Sequence, residues 1–102
     1  MIHVLALITA KPGMRDSILE VFRANVPAVH AEEGCLAYEA VVDVSNAIPG
    51  FAQFGADMFV VIEKWASMQA LQAHATAPHM KAYASKVKDF TANRAIHVLE
   101  PA

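Results

Sequence analysis

Two segments, residues 2–10 and 58–65, are apolar on both of their alternating faces, and this constrains the fold more than any other feature of the chain. A period-two segment with apolar side chains on both faces describes a strand that is covered on each side. A sheet built around two such strands needs helices on one face and something equally apolar on the other. With 102 residues there is room for one core, so a single domain over 1–102 is expected.

The rest of the chain supplies the partners of these strands. Pro12-Gly13 ends the first strand, after which Met14, Ile18, Val21, Phe22, Val26 and Val29 recur at helical spacing between charged residues. Pro27 should kink or end that helix, and Glu32-Glu33-Gly34 completes the connection. A second strand is expected over 35–44, a loop containing Asn46, Pro49, Gly50 and Gly55 over 45–56, and the third strand over 58–65. Ser67 is placed to cap a helix that runs to Pro78. Another helix from about His79 turns Met80, Tyr83, Val87 and Phe90 inward, and a last strand covers 95–99. The order βαββαβ specifies an α+β, ferredoxin-like antiparallel sheet with its helices on one face.

Helices on one face leave the other uncovered. The hydrophobic share is 56% against 18% charged residues, above the roughly 45–50% usual for soluble domains. An apolar sheet face left wet would exceed the few hundred Å² that monomers expose, so a homodimer through the open sheet face is expected, with a monomer enclosing a large ligand cavity as the alternative. A net charge of −2 with scattered basic residues argues against nucleic acid. Lys81, Lys86 and Lys88 are expected on a solvated outer helix face. The apolar start lacks a basic leader and meets Lys11-Pro12-Gly13 too soon for a membrane span, and a single cysteine, Cys35, fits a reducing cytoplasm.

The side chains that can carry chemistry cluster late in the chain. Glu63 and Trp65 are two apart on a strand and point to the same side of the sheet. A carboxylate there can be a strand-end group bonded to backbone, and the indole ordinary core. His74 and His79 lie five apart, about 140° around an unbroken helix, which does not suit a metal pair. A break at Pro78 would let both turn toward one cavity, with Tyr83 one turn beyond His79. Either imidazole can also be a hydrogen-bonded structural group. Phe51 and Phe54 sit on the long loop, where they pack on the domain, on a partner subunit or on a ligand. No glycine-rich nucleotide loop, nucleophile elbow or paired-cysteine metal motif occurs.

Lys11-Pro12-Gly13, Glu33-Gly34-Cys35-Leu36-Ala37-Tyr38, Phe59 to Trp65, and the stretch from Ala70 to Tyr83 with His74, Thr76, Pro78 and His79 together resemble the antibiotic-biosynthesis monooxygenase family. The resemblance implies a dimeric α+β barrel with a pocket between sheet and helices of each protomer. It also implies oxidation of a small aromatic phenol or hydroquinone to a quinone by O₂, without metal or flavin. On that model His74 or His79 handles the phenolic proton, Trp65 packs on the ring, and Tyr38 or Tyr83 bonds a substrate oxygen. Glu63, Phe51 and Phe54 join them as candidate binding residues, although the long loop around Phe51 and Phe54 departs from the short hairpin common in that family. A fold of this kind can also bind a small molecule without catalysis. The haem-degrading branch resembles the chain in its Trp and helical His, but its pattern has an Asn on the first strand, where this sequence offers His3 and Thr9.

Overall fold

The two doubly apolar strands lie side by side at the centre of one four-stranded sheet. In the computed structural model, which describes residues 1–46 and 48–102, the elements are β1 (Ile2–Ala10), α1 (Arg15–His30), β2 (Cys35–Val41), β3 (Met58–Trp65), α2 (Met68–Ala75), α3 (Pro78–Val87) and β4 (Thr91–Leu99), with a single 3₁₀ turn at Lys88–Phe90. Ala47, inside the expected 45–56 loop, lies outside the described residues. The strand order is β2-β3-β1-β4 and every neighbouring pair is antiparallel, giving an α+β ferredoxin-like fold. β1 and β3 take the centre because only they can bury both faces, and the more polar β2 and β4 take the edges.

Register divides the side chains between two faces. Val4, Ala6, Phe59, Val61 and Trp65 turn toward the helices and pack against Ile18, Leu19, Phe22 and Val29 of α1. The opposite face presents His3, Leu5 and Leu7 of β1, Val60 and Ile62 of β3, and Val41 of β2, with no helix over it. The helices do not reach across β4, whose helix-side residues Ile96 and Val98 stay exposed.

Four boundaries differ from the sequence reading. Pro27 lies inside α1, which continues to His30, because the wholly buried Val29 anchors the final turn against the core despite the hydrogen bond that proline forfeits. β2 stops at Val41, since Asp43 turns back to accept hydrogen bonds from the backbone N–H groups of Phe54 (3.0 Å) and Gly55 (2.8 Å). Pro78 starts α3 as its first residue, where a missing N–H costs nothing. β4 begins at Thr91 rather than residue 95, because pairing with β1 extends back to Ala10. Among the described residues, no helix is long and apolar enough to cross a membrane.

Candidate active site

The inward face of β3 ends in the alternation Phe59, Val61, Glu63, Trp65, so the sheet carries one carboxylate into an otherwise apolar layer. The Trp65 indole donates to Glu63 Oε1 at 2.9 Å, and both side chains are buried. Burial pushes the Glu63 carboxyl above the usual carboxylate range, opposed by the indole hydrogen bond and by nearby His74. Tyr38 is the cross-strand partner of Glu63 on β2 and shares its face. Its phenol is raised far above its ordinary value, first by desolvation and then by Glu63.

α2 lays His74 over this layer. Ser67 caps the helix by accepting from Ala70 N at 3.1 Å, and one side of the helix is drawn against the turn that follows α1. Gly34 makes that approach possible. Its φ is +81°, a Cβ built there would lie 2.6 Å from the Cβ of Ala70, and its carbonyl accepts from Ala66 N at 2.8 Å. The result brings Glu32, two residues earlier, beneath His74.

The buried His74 ring has contacts on every side. Nδ1 lies 2.7 Å from Glu32 Oε2, and Nε2 lies 4.0 Å from Glu63 Oε1. The Trp65 ring packs at 4.6 Å between centroids and the Tyr38 ring meets it edge-on at 5.5 Å. His79, at the start of α3, has its Nε2 3.4 Å from the same Glu32 oxygen, an ion-pair distance without hydrogen-bond alignment, and both of its ring nitrogens are buried without a partner.

A cavity of about 930 Å³ opens between the sheet and the helices. Tyr38, Glu63, His74 and Tyr83 put polar groups into an apolar wall that includes Val4, Ala6 and Val61. Burial pushes the Tyr83 phenol up to about 12. The mouth carries Lys81, Lys88 and Arg94. Two of the three lysines expected on a solvated outer face therefore border the cavity.

The structure thus gathers Tyr38, Glu63, His74 and Tyr83 around one space. It places Trp65 behind the wall, wholly buried, holding Glu63 rather than facing the cavity, and it turns His79 to Glu32. Phe51 and Phe54 are 71% and 52% exposed on the loop and take no part in the cavity lining. Glu32 is the site residue that sequence reasoning missed. Its one signal is an acidic residue just ahead of a glycine turn, which is common in connections that do no chemistry. Among the described residues, no group of three His, Cys, Asp or Glu side chains is arranged to hold a metal ion.

Comparison with known proteins gives consistent results. Residues 1–86 match the family model described as antibiotic biosynthesis monooxygenase. The chain is 39% identical over 103 residues to the probable quinol monooxygenase YgiN of Escherichia coli K12, covering 99% of this chain and 98% of that protein. Among solved structures, PA3566 from Pseudomonas aeruginosa superposes with a TM-score of 0.81 at 27% identity, covering 99% of this chain and 93% of the other. An antibiotic biosynthesis monooxygenase structure from Nitrosomonas europaea, described as putative, gives a TM-score of 0.82 at 18% identity over 99% and 98% of the two chains, a likeness of fold.

Proposed function

Since the chain belongs to the antibiotic biosynthesis monooxygenase family, we propose that it is a cytoplasmic monooxygenase that oxidises a small aromatic phenol or hydroquinone with O₂, using no cofactor. The observation that carries this reading is the buried His74, whose Nε2 lies on the side of an apolar cavity walled by two tyrosines and a carboxyl group.

An electron-rich phenol becomes a far better reductant of O₂ once it loses its proton, so the protein's tasks are to deprotonate, orient and dehydrate it. His74 Nε2 takes the phenolic proton. Tyr38 and Tyr83, both held protonated well beyond neutral pH by burial, donate hydrogen bonds to substrate oxygens. Glu63, pushed toward its neutral form, adds less negative charge than an exposed carboxylate would and so tolerates a phenolate nearby. For a phenol with a free para position, one oxygen atom enters the ring as the second quinone carbonyl and the other leaves as water. The phenol gives up four electrons and O₂ accepts them. A hydroquinone follows the same course to a hydroxyquinone and water.

Oxygen uptake by protein freed of metal and flavin tests the reading. Turnover above the buffer rate is expected with some member of a panel of hydroquinones and polyphenols, and quinone should appear in step with oxygen loss. Uptake that never exceeds the buffer rate, or that requires added metal or flavin, overturns it.

The working form proposed is a homodimer through the open sheet face. Leu5, Leu7, Val41 and Ile62 form a partly exposed apolar surface that no helix among the described residues covers, and a second copy of the same face matches it by two-fold symmetry.

A further inference from the structure

The two nitrogens of His74 have different surroundings. Nδ1 faces Glu32 Oε2 at 2.7 Å, and Glu32 takes no part in lining the cavity. Nε2 lies toward Glu63, which does line it, at 4.0 Å, beyond hydrogen-bond reach. A carboxylate only accepts, so the hydrogen of the 2.7 Å contact belongs to Nδ1, and a neutral imidazole protonated there keeps its lone pair on Nε2. The nearest acceptor that could favour the opposite tautomer, Glu63 Oε1, is already occupied by the Trp65 indole at 2.9 Å.

We propose that Glu32 is the positioning residue of this site: it holds His74 in the Nδ1–H tautomer and leaves Nε2 as the base that takes the substrate's phenolic proton, a role that rests on the reaction proposed above. When that proton arrives, the His74 cation lies between Glu32 and Glu63, and its Nδ1 bond to Glu32 becomes charge-assisted. The two histidines thereby divide their roles. His74 spans from Glu32 to the cavity, whereas His79 contacts the same Glu32 oxygen from α3 and lines no part of the cavity. The titratable groups facing this cluster are Glu32 from the α1–β2 turn, Cys35 and Tyr38 from β2, Glu63 from β3 and His79 from α3.

Two-bond ¹⁵N–¹H correlation spectra of the labelled full-length protein read the tautomer directly, with His74 assigned by the signals lost in His74→Gln. With the ring in its neutral form, the wild-type spectrum should show a protonated Nδ1 and a bare Nε2. Glu32→Ala should move both nitrogens toward averaged positions. Its kcat should fall about 100-fold, at the low end of what a positioned base contributes, with KM changed by less than about twofold. Glu32→Gln can still accept through its amide oxygen but carries no charge and can also donate, so it should restore kcat only in part. The acid limb of its pH–rate profile should move to lower pH, because the imidazolium has lost a countercharge. Should Glu32→Ala fail to fold, Glu32→Gln carries the test through that shift. A wild-type His74 protonated on Nε2, or a Glu32→Gln profile superposable on wild type, overturns the inference. The assigned tautomer without oxygen uptake on any phenol supports the grip of Glu32 on His74 and overturns the reaction instead.

Discussion

The contact between the α1–β2 turn and α2 fixes Glu32 beneath His74, and it hangs on the missing side chain of Gly34. Gly34→Ala combines two costs that the structure separates. A φ of +81° is left-handed, which costs an L-residue about 1–2 kcal/mol. The added Cβ would also meet the Cβ of Ala70 at 2.6 Å, a methyl-on-methyl overlap that the short turn and the helix relieve only by moving apart. Overpacking of this kind costs about 1–3 kcal/mol. Together the change should destabilise the fold by about 2–5 kcal/mol, which at about 4–8 °C per kcal/mol for a domain near this size lowers Tm by about 8–40 °C. Gly13→Ala is the matched control, with a φ of +77° and no atom within 4 Å of the new Cβ, so it should show the conformational cost alone. Ala70→Gly in the Gly34→Ala background removes the clash, and urea unfolding of the four-variant cycle should return a coupling of at least about 1 kcal/mol. If Gly34→Ala and Gly13→Ala lose the same stability and the cycle shows no coupling, steric approach of turn and helix is not what places Glu32.

Three further outcomes follow from other parts of the molecule. Leu5→Asp should convert a dimer to an 11.0 kDa monomer in light scattering, and Leu5 at 36% exposure is a cleaner site than Val60 at 7%, where a charge would also disturb the fold; a wild-type protein that is itself a folded 11.0 kDa particle refutes the dimer. Glu63 keeps its proton to higher pH when folded than when unfolded, so its contribution is fully present below about pH 4, the unfolded carboxyl range, and is lost as pH rises through the raised folded value; Glu63→Gln should flatten that decline in urea unfolding, and an unchanged pH slope refutes the assignment. Lys81, Lys88 and Arg94 at the mouth form no ion pairs among the described residues, so KM for a carboxylate-bearing hydroquinone should rise with salt while that of a neutral one stays constant; equal salt dependence removes the mouth from substrate selection.

What could be read from the sequence tracks how local the cause is. β1 and β3 were legible because alternation and two-sided apolarity are properties of a few consecutive residues, and the central position of both strands follows from them. The Glu63–Trp65 pair was legible for the same reason, since residues two apart on a strand share a face. The start of β4 was not, because Thr91, Asn93 and Arg94 join the strand by pairing with β1 rather than by any preference of their own. Pro27 misled because its local effect opposes a helix, whereas the burial of Val29, a tertiary fact, continues it.

The candidate site shows the same division more sharply. The histidines could be located in sequence but not their orientation, and a five-residue spacing broken at Pro78 allowed both to face one cavity. They meet instead at one oxygen of Glu32, 42 residues before His74 in the chain, and only His74 also reaches the cavity. That meeting depends on a turn and a helix coming within methyl contact at Gly34 and Ala70, and no residue pattern within either segment announces it. On the proposal above Glu32 sets the tautomer of His74, and the close approach at Gly34 is what brings Glu32 to the ring. A change at Gly34, which touches neither substrate nor His74, should for this reason affect kcat through the ring nitrogens and not through the cavity wall.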